Sequence, residues 1–173
     1  MALQLSEKEQ QLYEQAKQFA IDHIAPFAKE WEQGSKHPKE AMNLLSENGY
    51  CGLLVPIELG GKGYSFLEAS LIYEGLAHGS GAIAFMLQLH NNITFEIATY
   101  YETSDKVKAW IPDMVKGSKL TAFAFTETTS GSDAASIQSY ASLEKDGYHI
   151  YGSKVWIANA ADADYFNVIV RNG

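Results

Sequence analysis

The sequence of 173 residues holds a single cysteine, and that scarcity excludes an internal disulfide framework. Cys51 has no partner at metal-ligand spacing, so it reads as a small buried filler in a reducing compartment, and no metal site is expected. Basic residues are also few, 13 Lys and Arg against 21 Asp and Glu, for a formal net charge of −8. Phosphate backbones are captured by clustered Lys and Arg, so this balance argues against a nucleic-acid partner. Long apolar runs are missing: residues 81–89 form the longest, far too short to cross a bilayer. The first eight residues lack the basic region and apolar run of a secretory signal. The expected location is therefore cytoplasmic, with the mitochondrial matrix left open.

What is present is enough apolar material for a core, since 46% of residues are hydrophobic and only 20% charged. The hydrophobic period changes near Leu120, from helical before it to strand-like after it. This predicts an α+β chain of two domains: an all-α bundle over residues 1–118, then an incomplete antiparallel β-barrel or sheet over 119–173.

In the first helix Ser6 is the N-cap with Glu9 three residues on, and Leu12, Ala16, Phe19, Ala20, His23, Phe27 and Trp31 form one apolar stripe. Pro26 falls inside that stripe and should interrupt it near Ala25. A shorter helix follows Pro38, with Ala41, Leu44 and Leu45 inward and Gly49 at its end. The run Val55-Pro56-Ile57-Glu58-Leu59-Gly60-Gly61-Lys62-Gly63 lacks phosphate-binding spacing and reads as a loop. Residues 66–78 and 81–101 read as helices, the second apolar on nearly every side and therefore central in a bundle. Ser104 should cap a last helix that carries Val107, Trp110, Ile111, Met114 and Val115, bends at Pro112 and stops at Gly117. Strands are expected at residues 120–125, 138–144, 148–151, 154–157 and 165–171, with Asp146-Gly147 as a hairpin turn. Asn172-Gly173 is itself a hairpin signal, so the expectation is that the sequence stops short of a partner strand.

Two stretches carry a resemblance: Ala122-Phe123-Ala124-Phe125-Thr126-Glu127-Thr128-Thr129-Ser130-Gly131-Ser132-Asp133, and Gly152-Ser153-Lys154-Val155-Trp156-Ile157-Ala158-Asn159-Ala160. They resemble the two signature segments of the acyl-CoA dehydrogenases, a Thr-Glu-Pro loop ending in Gly-Ser-Asp and a Gly-x-Lys-x-Trp-Ile-Thr-Asn strand. The loop at Val55-Pro56, the Glu74-Gly75-Leu76-Ala77 helix and the Leu89-His90-Asn91 segment resemble that family's amino-terminal helical domain. The resemblance implies three domains, of which this sequence would hold the first and about half of the middle one, without the carboxy-terminal helical domain.

It also implies FAD as cofactor. Phe123, Ala124, Phe125 and Thr126 would lie along the flavin ring, with Thr126 donating to a ring oxygen. Ser132 would face the FAD pyrophosphate and the incoming acyl-CoA, while Trp156, Ile157 and Ala158 would stand against the other edge of the ring. Fixed donors near the ring suit the negative charge of reduced flavin, and a Ser/Thr/Gly loop can offer N–H groups to phosphate without a basic residue. Two departures are Thr128, where the family has proline, and Ala158, where it usually has threonine beside flavin N5.

The implied reaction is α,β-dehydrogenation of an acyl-CoA thioester. Its carboxylate base has no counterpart in the sequence, so no catalytic residue is assigned and the chain alone is expected to be inactive. An electron-transferring flavoprotein would take the electrons, and the whole protein would be a homo-oligomer, a dimer or tetramer. Glu127 belongs to the Thr-Glu signature and is expected to hold its loop by accepting backbone hydrogen bonds.

Outside that resemblance, plainer readings stand beside these. Trp156 alone would be core, His90 is read as satisfied within the bundle, and Met86, Leu89 and Ile93 as packing. Ser130-Gly131-Ser132-Asp133 is also readable as an ordinary surface turn, and Asp162 and Asp164 as a solvated loop. Alternatives for the whole are a short flavin- or acyl-binding subunit completed by a partner chain, a non-catalytic helical interaction module, or a flavoprotein of different chemistry such as monooxygenation.

Overall fold

The computed structural model describes residues 4–34, 38–100 and 104–173. Expectations touching residues 1–3 and Tyr101 lie outside them.

Helix α1 (Glu7–His23) starts at the expected capping box, Glu9 N–H on Ser6 Oγ at 3.3 Å and Ser6 N–H on the Glu9 carboxylate at 2.7 Å. Proline cannot continue the ladder of α1, so the chain breaks at Ile24 and restarts as α2 (Ala25–Gln33) with Pro26 in its first turn. The break turns the stripe: Ile24 is fully buried, whereas Phe27 is half exposed. In α3 (Lys39–Glu47) the inner face is Ala41, Met42 and Leu45, with Met42 in the place expected for Leu44, which is only half-buried.

The glycine-rich run is a loop, as expected, with one turn of 3-10 helix at Ile57–Leu59. Gly61 lies so close to the Val55 carbonyl that a Cβ would sit 2.0 Å from its oxygen, so packing explains this glycine. Helix α4 (Phe66–Ala77) opens on a second capping box, Ser65 with Glu68, and packs along α1.

Helix α5 (Gly81–Tyr100) is the centre of the bundle. Ile83, Ala84 and Leu87 join Ala16, Ala20, Leu45, Leu53 and Leu76 in one buried cluster, each large side chain contributing about 1.5–3 kcal/mol of burial. The helix is not enclosed throughout, since Phe85 is exposed. The expected last helix is two pieces, α6 (Asp105–Lys108) and α7 (Ile111–Lys116). Pro112 clashes with a helical carbonyl four residues back, so α6 ends at Lys108 and the proline occupies the first turn of α7. Ser104 makes no side-chain cap, while Gly117 ends α7 in the left-handed region.

The β part begins with β1 (Thr121–Ala124) and continues through β2 (Tyr140–Glu144), β3 (Gly147–Tyr151), β4 (Tyr165–Val168) and β5 (Arg171–Asn172). The expected antiparallel arrangement holds for β2 and β3, but β1 pairs with β4 in parallel and β2 with β5 in parallel. The hairpin turn is Lys145-Asp146, one residue earlier than expected, because Glu144 pairs with Gly147 in a register where Tyr140 stacks on Tyr151 at 5.2 Å. Residues 154–157 form no strand.

Buried polar side chains of α5 join these parts. His90 is fully buried and neutral: burial presses its pKa down to about 4, although the bond to Met114 pulls the other way. Nδ1 accepts the Thr121 N–H at 3.2 Å, which leaves Nε2–H to donate to the Met114 carbonyl at 2.9 Å. Asn91 accepts from Gly52 N–H at 2.6 Å and donates to the Tyr50 carbonyl at 2.9 Å. Cys51 is buried beside them, its thiol pushed up to about 12, as its reading as an inert filler requires.

Because the folded pKa of His90 lies below its ordinary 6.5, the unfolded chain binds a proton first as pH falls. Stability is expected to drop between pH 6.5 and 4 by about 3 kcal/mol from this group, at about 1.4 kcal/mol per pH unit. Urea unfolding of wild type and His90→Asn across that range should show the steeper pH slope in the wild type; equal slopes would exclude the assignment.

Candidate functional site

At the end of β1, Phe123 is half-buried, Ala124 buried and Phe125 half-buried, and the two phenylalanine rings stack at 5.7 Å and 18°. Past Thr126 the chain doubles back: Glu127 N–H donates to the Ser130 carbonyl at 2.8 Å and Ser130 N–H to the Glu127 carbonyl at 3.3 Å. Ser130 Oγ and Ser136 Oγ both donate to the Asp133 carbonyl, at 3.0 and 2.9 Å. Ser132 is left exposed on the outside of this turn.

A second turn stands where a strand was expected. Trp156 and Asn159 have φ of 59° and 64°, left-handed conformations that end any ladder. Asn159 tolerates this and is buried, donating from Nδ2 to the carbonyls of Met86 and Thr121, each at 3.2 Å. Gly152 is needed at the entry, since a Cβ there would lie 2.1 Å from Ser139 Oγ. Trp156 is 92% exposed in a conformation that costs a bulky residue about 1–3 kcal/mol, with no burial to offset it. Ile157 and Ala158 behind it are half-buried.

The two turns are tied to each other. Val155 N–H donates to the Thr126 carbonyl at 2.9 Å, and Lys154 Nζ donates to the Phe125 carbonyl at 3.0 Å and to Glu127 Oε1 at 2.8 Å. The Glu127 carboxylate also accepts the N–H groups of Gln138 at 2.7 Å and Ser139 at 2.9 Å. Lys154 chiefly, then Ser139 and the Gln138 N–H, hold its pKa down to about 2. Since that is below the ordinary 4.5, the Glu127 carboxylate is charged at neutral pH, and the stability it contributes is lost as pH falls from 4.5 through about 2. Glu127 thus fills the loop-holding role expected of it. Lys154, quoted in the motif without a role, is the residue that sequence reasoning missed; a charged pair inside otherwise apolar and small-residue signatures was its signal.

β1 and the Thr126 turn, which carry Phe123, Ala124, Phe125 and Thr126, are therefore tied to the turn that carries Trp156, Ile157 and Ala158, and Ser132 is exposed. Among the described residues, the hydroxyls of Thr126 and Ser132, the Trp156 indole N–H, and the main-chain N–H groups of Gly131, Ser132, Ile157 and Ala158 make no hydrogen bond. The two tied turns thus carry an exposed indole together with several donors that have no partner among the described residues. A cavity of about 470 Å³ lined by Leu59, Ile97, Lys108 and Ile111 lies elsewhere.

Other candidates resolve into structure. His90 is satisfied within the bundle, and Asp164, expected as solvated loop, accepts from Lys119 Nζ at 2.7 Å and Leu120 N–H at 3.0 Å. Glu144, Asp146 and His149 offer ligand atoms within 4.8 Å of one another at the β2–β3 hairpin, a grouping not anticipated; His149 Nε2 lies 2.9 Å from Asp146 there. No described helix is long and apolar enough to cross a membrane.

Residues 6–118 match the model of the acyl-CoA dehydrogenase N-terminal domain, and residues 122–173 that of the acyl-CoA dehydrogenase middle domain. The chain belongs to the acyl-CoA dehydrogenase family. It is 32% identical to a mitochondrial isobutyryl-CoA dehydrogenase of Dictyostelium discoideum over 98% of this chain and 40% of that protein. It is 33% identical to a glutaryl-CoA dehydrogenase of Desulfococcus multivorans over 95% of this chain and 43% of that one. Among solved structures, an acyl-CoA dehydrogenase of Bacillus anthracis complexed with FAD superposes with a TM-score of 0.83 at 27% identity, covering 97% of this chain and 29% of that one. The chain thus spans about 40% of the length of the curated relatives it matches.

If Trp156 is there for a ligand and not for the fold, Trp156→Gly relieves its backbone at little cost. Unliganded stability is expected to stay level or rise by about 1 kcal/mol in denaturant unfolding. A loss of 2 kcal/mol or more would make Trp156 a structural residue.

Proposed function

We propose that this chain is the flavin-holding part of an FAD-dependent acyl-CoA dehydrogenase, residues 1–118 as its amino-terminal helical domain and 119–173 as part of its middle β-domain. The observation that carries the reading is the exposed, left-handed Trp156 held beside the Thr126 turn. A flat polarizable ring in solvent, on tied turns that also hold free N–H and O–H donors, fits a flat cofactor with hydrogen-bonding edges and an anionic tail. The FAD complex of the Bacillus anthracis relative supports the same cofactor here.

In this reading Trp156, Ile157 and Ala158 line one edge of the isoalloxazine, and Phe123, Ala124, Phe125 and Thr126 lie along it. The Thr126 hydroxyl would donate toward a ring oxygen of the bound cofactor. Ser132, with its own free N–H and that of Gly131, faces the pyrophosphate and the incoming acyl-CoA. When bound, FAD supplies the hydride acceptor for oxidation of the acyl α,β bond. Donors fixed in place before the ring gains charge need no reorganisation as it does so, which is where the turn geometry contributes to rate.

The α-proton needs a base, and Glu127 does not serve. A carboxylate held to a pKa of about 2 and already accepting from Lys154, Gln138 and Ser139 is far from the near-neutral value that general bases require. On the family resemblance the base is assigned to a glutamate outside these residues, and on that reading the chain by itself is inactive. An electron-transferring flavoprotein takes the electrons, the whole protein is a homo-oligomer, and it works in the cytoplasm or the mitochondrial matrix.

Protein expressed from the complete reading frame is expected to show flavin absorbance that bleaches anaerobically with a branched or short acyl-CoA. The chain of residues 1–173 assayed in parallel should show no bleaching. Flavin that reacts only with oxygen and an external reductant would reassign the chemistry, and turnover by the isolated chain would refute the missing base. Trp156→Ala should weaken FAD binding roughly tenfold, the scale of one lost stacking contact, in a fluorescence titration.

A further inference from the structure

The Lys154 ammonium occupies a position that the cofactor reading alone does not account for. Its side chain is only 10% exposed and its partner Glu127 5%, although lysine is rarely buried without a specific task. One nitrogen serves two oxygens on neighbouring segments, the Phe125 carbonyl at 3.0 Å and Glu127 Oε1 at 2.8 Å. Glu127 passes the connection on to the main chain at Gln138 and Ser139. Immediately after the lysine, Val155 N–H holds the Thr126 carbonyl. The far end of the same turn is fixed independently, by Asn159 on Met86 and Thr121. The Trp156 turn is thus anchored to α5 and to the start of β1 at one end, and at the other Lys154 and Val155 tie it directly to the Thr126 turn.

Burial of such a pair is a poor way to gain stability, because desolvation consumes most of the Coulombic gain; apolar side chains of similar volume would do as well. What an ion pair with two directed hydrogen bonds adds is register, holding two segments at one spacing and one angle.

We propose that Lys154 is a positioning residue for the flavin ring: through Glu127 and the Phe125 carbonyl it sets the separation between the Thr126 and Trp156 turns. It does not touch the ring itself. The proposal rests on the FAD reading above.

The test uses protein from the complete reading frame and compares wild type with Lys154→Met, which keeps the side chain's length and removes its donors. Lys154→Met is expected to weaken FAD roughly tenfold or more, the effect of about one lost directed interaction. At saturating FAD it should also change the visible circular dichroism of the bound flavin, a signature of the ring's surroundings that a general loss of stability does not alter. If Lys154→Met fails to fold, Glu127→Gln decides by the same two measurements, since it keeps an acceptor for a backbone N–H while removing the charge that orients Lys154. Unchanged affinity and unchanged flavin dichroism, with only a lower unfolding midpoint, would leave Lys154 a stabilising residue and overturn the proposal. A wild type that holds no FAD would overturn the cofactor reading and the proposal with it, so the two failures are told apart by the wild type alone.

Discussion

One stretch of α5 organises the molecule. Its apolar residues fill the bundle core, but its polar ones, His90 and Asn91, decide where everything else goes. Asn91 gathers the Tyr50–Leu53 backbone on one side. His90 joins α7 to β1 on the other, and the Met86 carbonyl one turn earlier receives Asn159. Buried polar groups are tolerated only when satisfied, and a set satisfied by four separate chain segments permits one arrangement of those segments. The helical and β parts are consequently fitted to each other through directional bonds as well as apolar contact, and the position of the Trp156 turn descends from a helix that carries none of the proposed ring contacts.

Among the described residues, the two turns concentrate features that are individually unfavourable. A bulky left-handed residue, an exposed indole and a buried charge pair all fall within the two turns. Each is unfavourable taken alone and persists because its surroundings over-determine it. Strain confined to one place, supported by a well-packed bundle, is the pattern expected where geometry is kept for a ligand.

Much of this was legible in the sequence for identifiable reasons. The Ser6–Glu9 box, the interruption at Pro26 and the central place of α5 follow from local chemistry and a helical period, and the structure agrees with the first two and with the third except at the exposed Ala82 and Phe85. The role of Glu127 was expected from the Thr-Glu signature that its loop resembles, although the N–H groups it accepts belong to Gln138 and Ser139, well beyond the turn; local chemistry alone accounts for the helix caps. The same local logic would have found the Ser65–Glu68 box, which carries the identical signature. What could not be read was set by distant partners. Lys154-Val155-Trp156-Ile157 has strand propensity, but ties to Phe125, Glu127, Met86 and Thr121 impose a turn on it, and tertiary context overrides propensity for such short segments. The parallel pairing of β1 with β4 leaves no mark on periodicity, which reports which side chains face inward and not which strand lies alongside.

That pairing has a consequence of its own. Because β1 and β4 run side by side in the same direction, the chain leaves the pair at Ala124 and rejoins it only at Tyr165, so both turns and the β2–β3 hairpin belong to one long crossover. Neighbouring turns of helix can form early at little entropic cost, whereas closing such a loop is slow. The segment that bears the proposed ring contacts lies inside that crossover, so its geometry depends on β1 and β4 closing side by side.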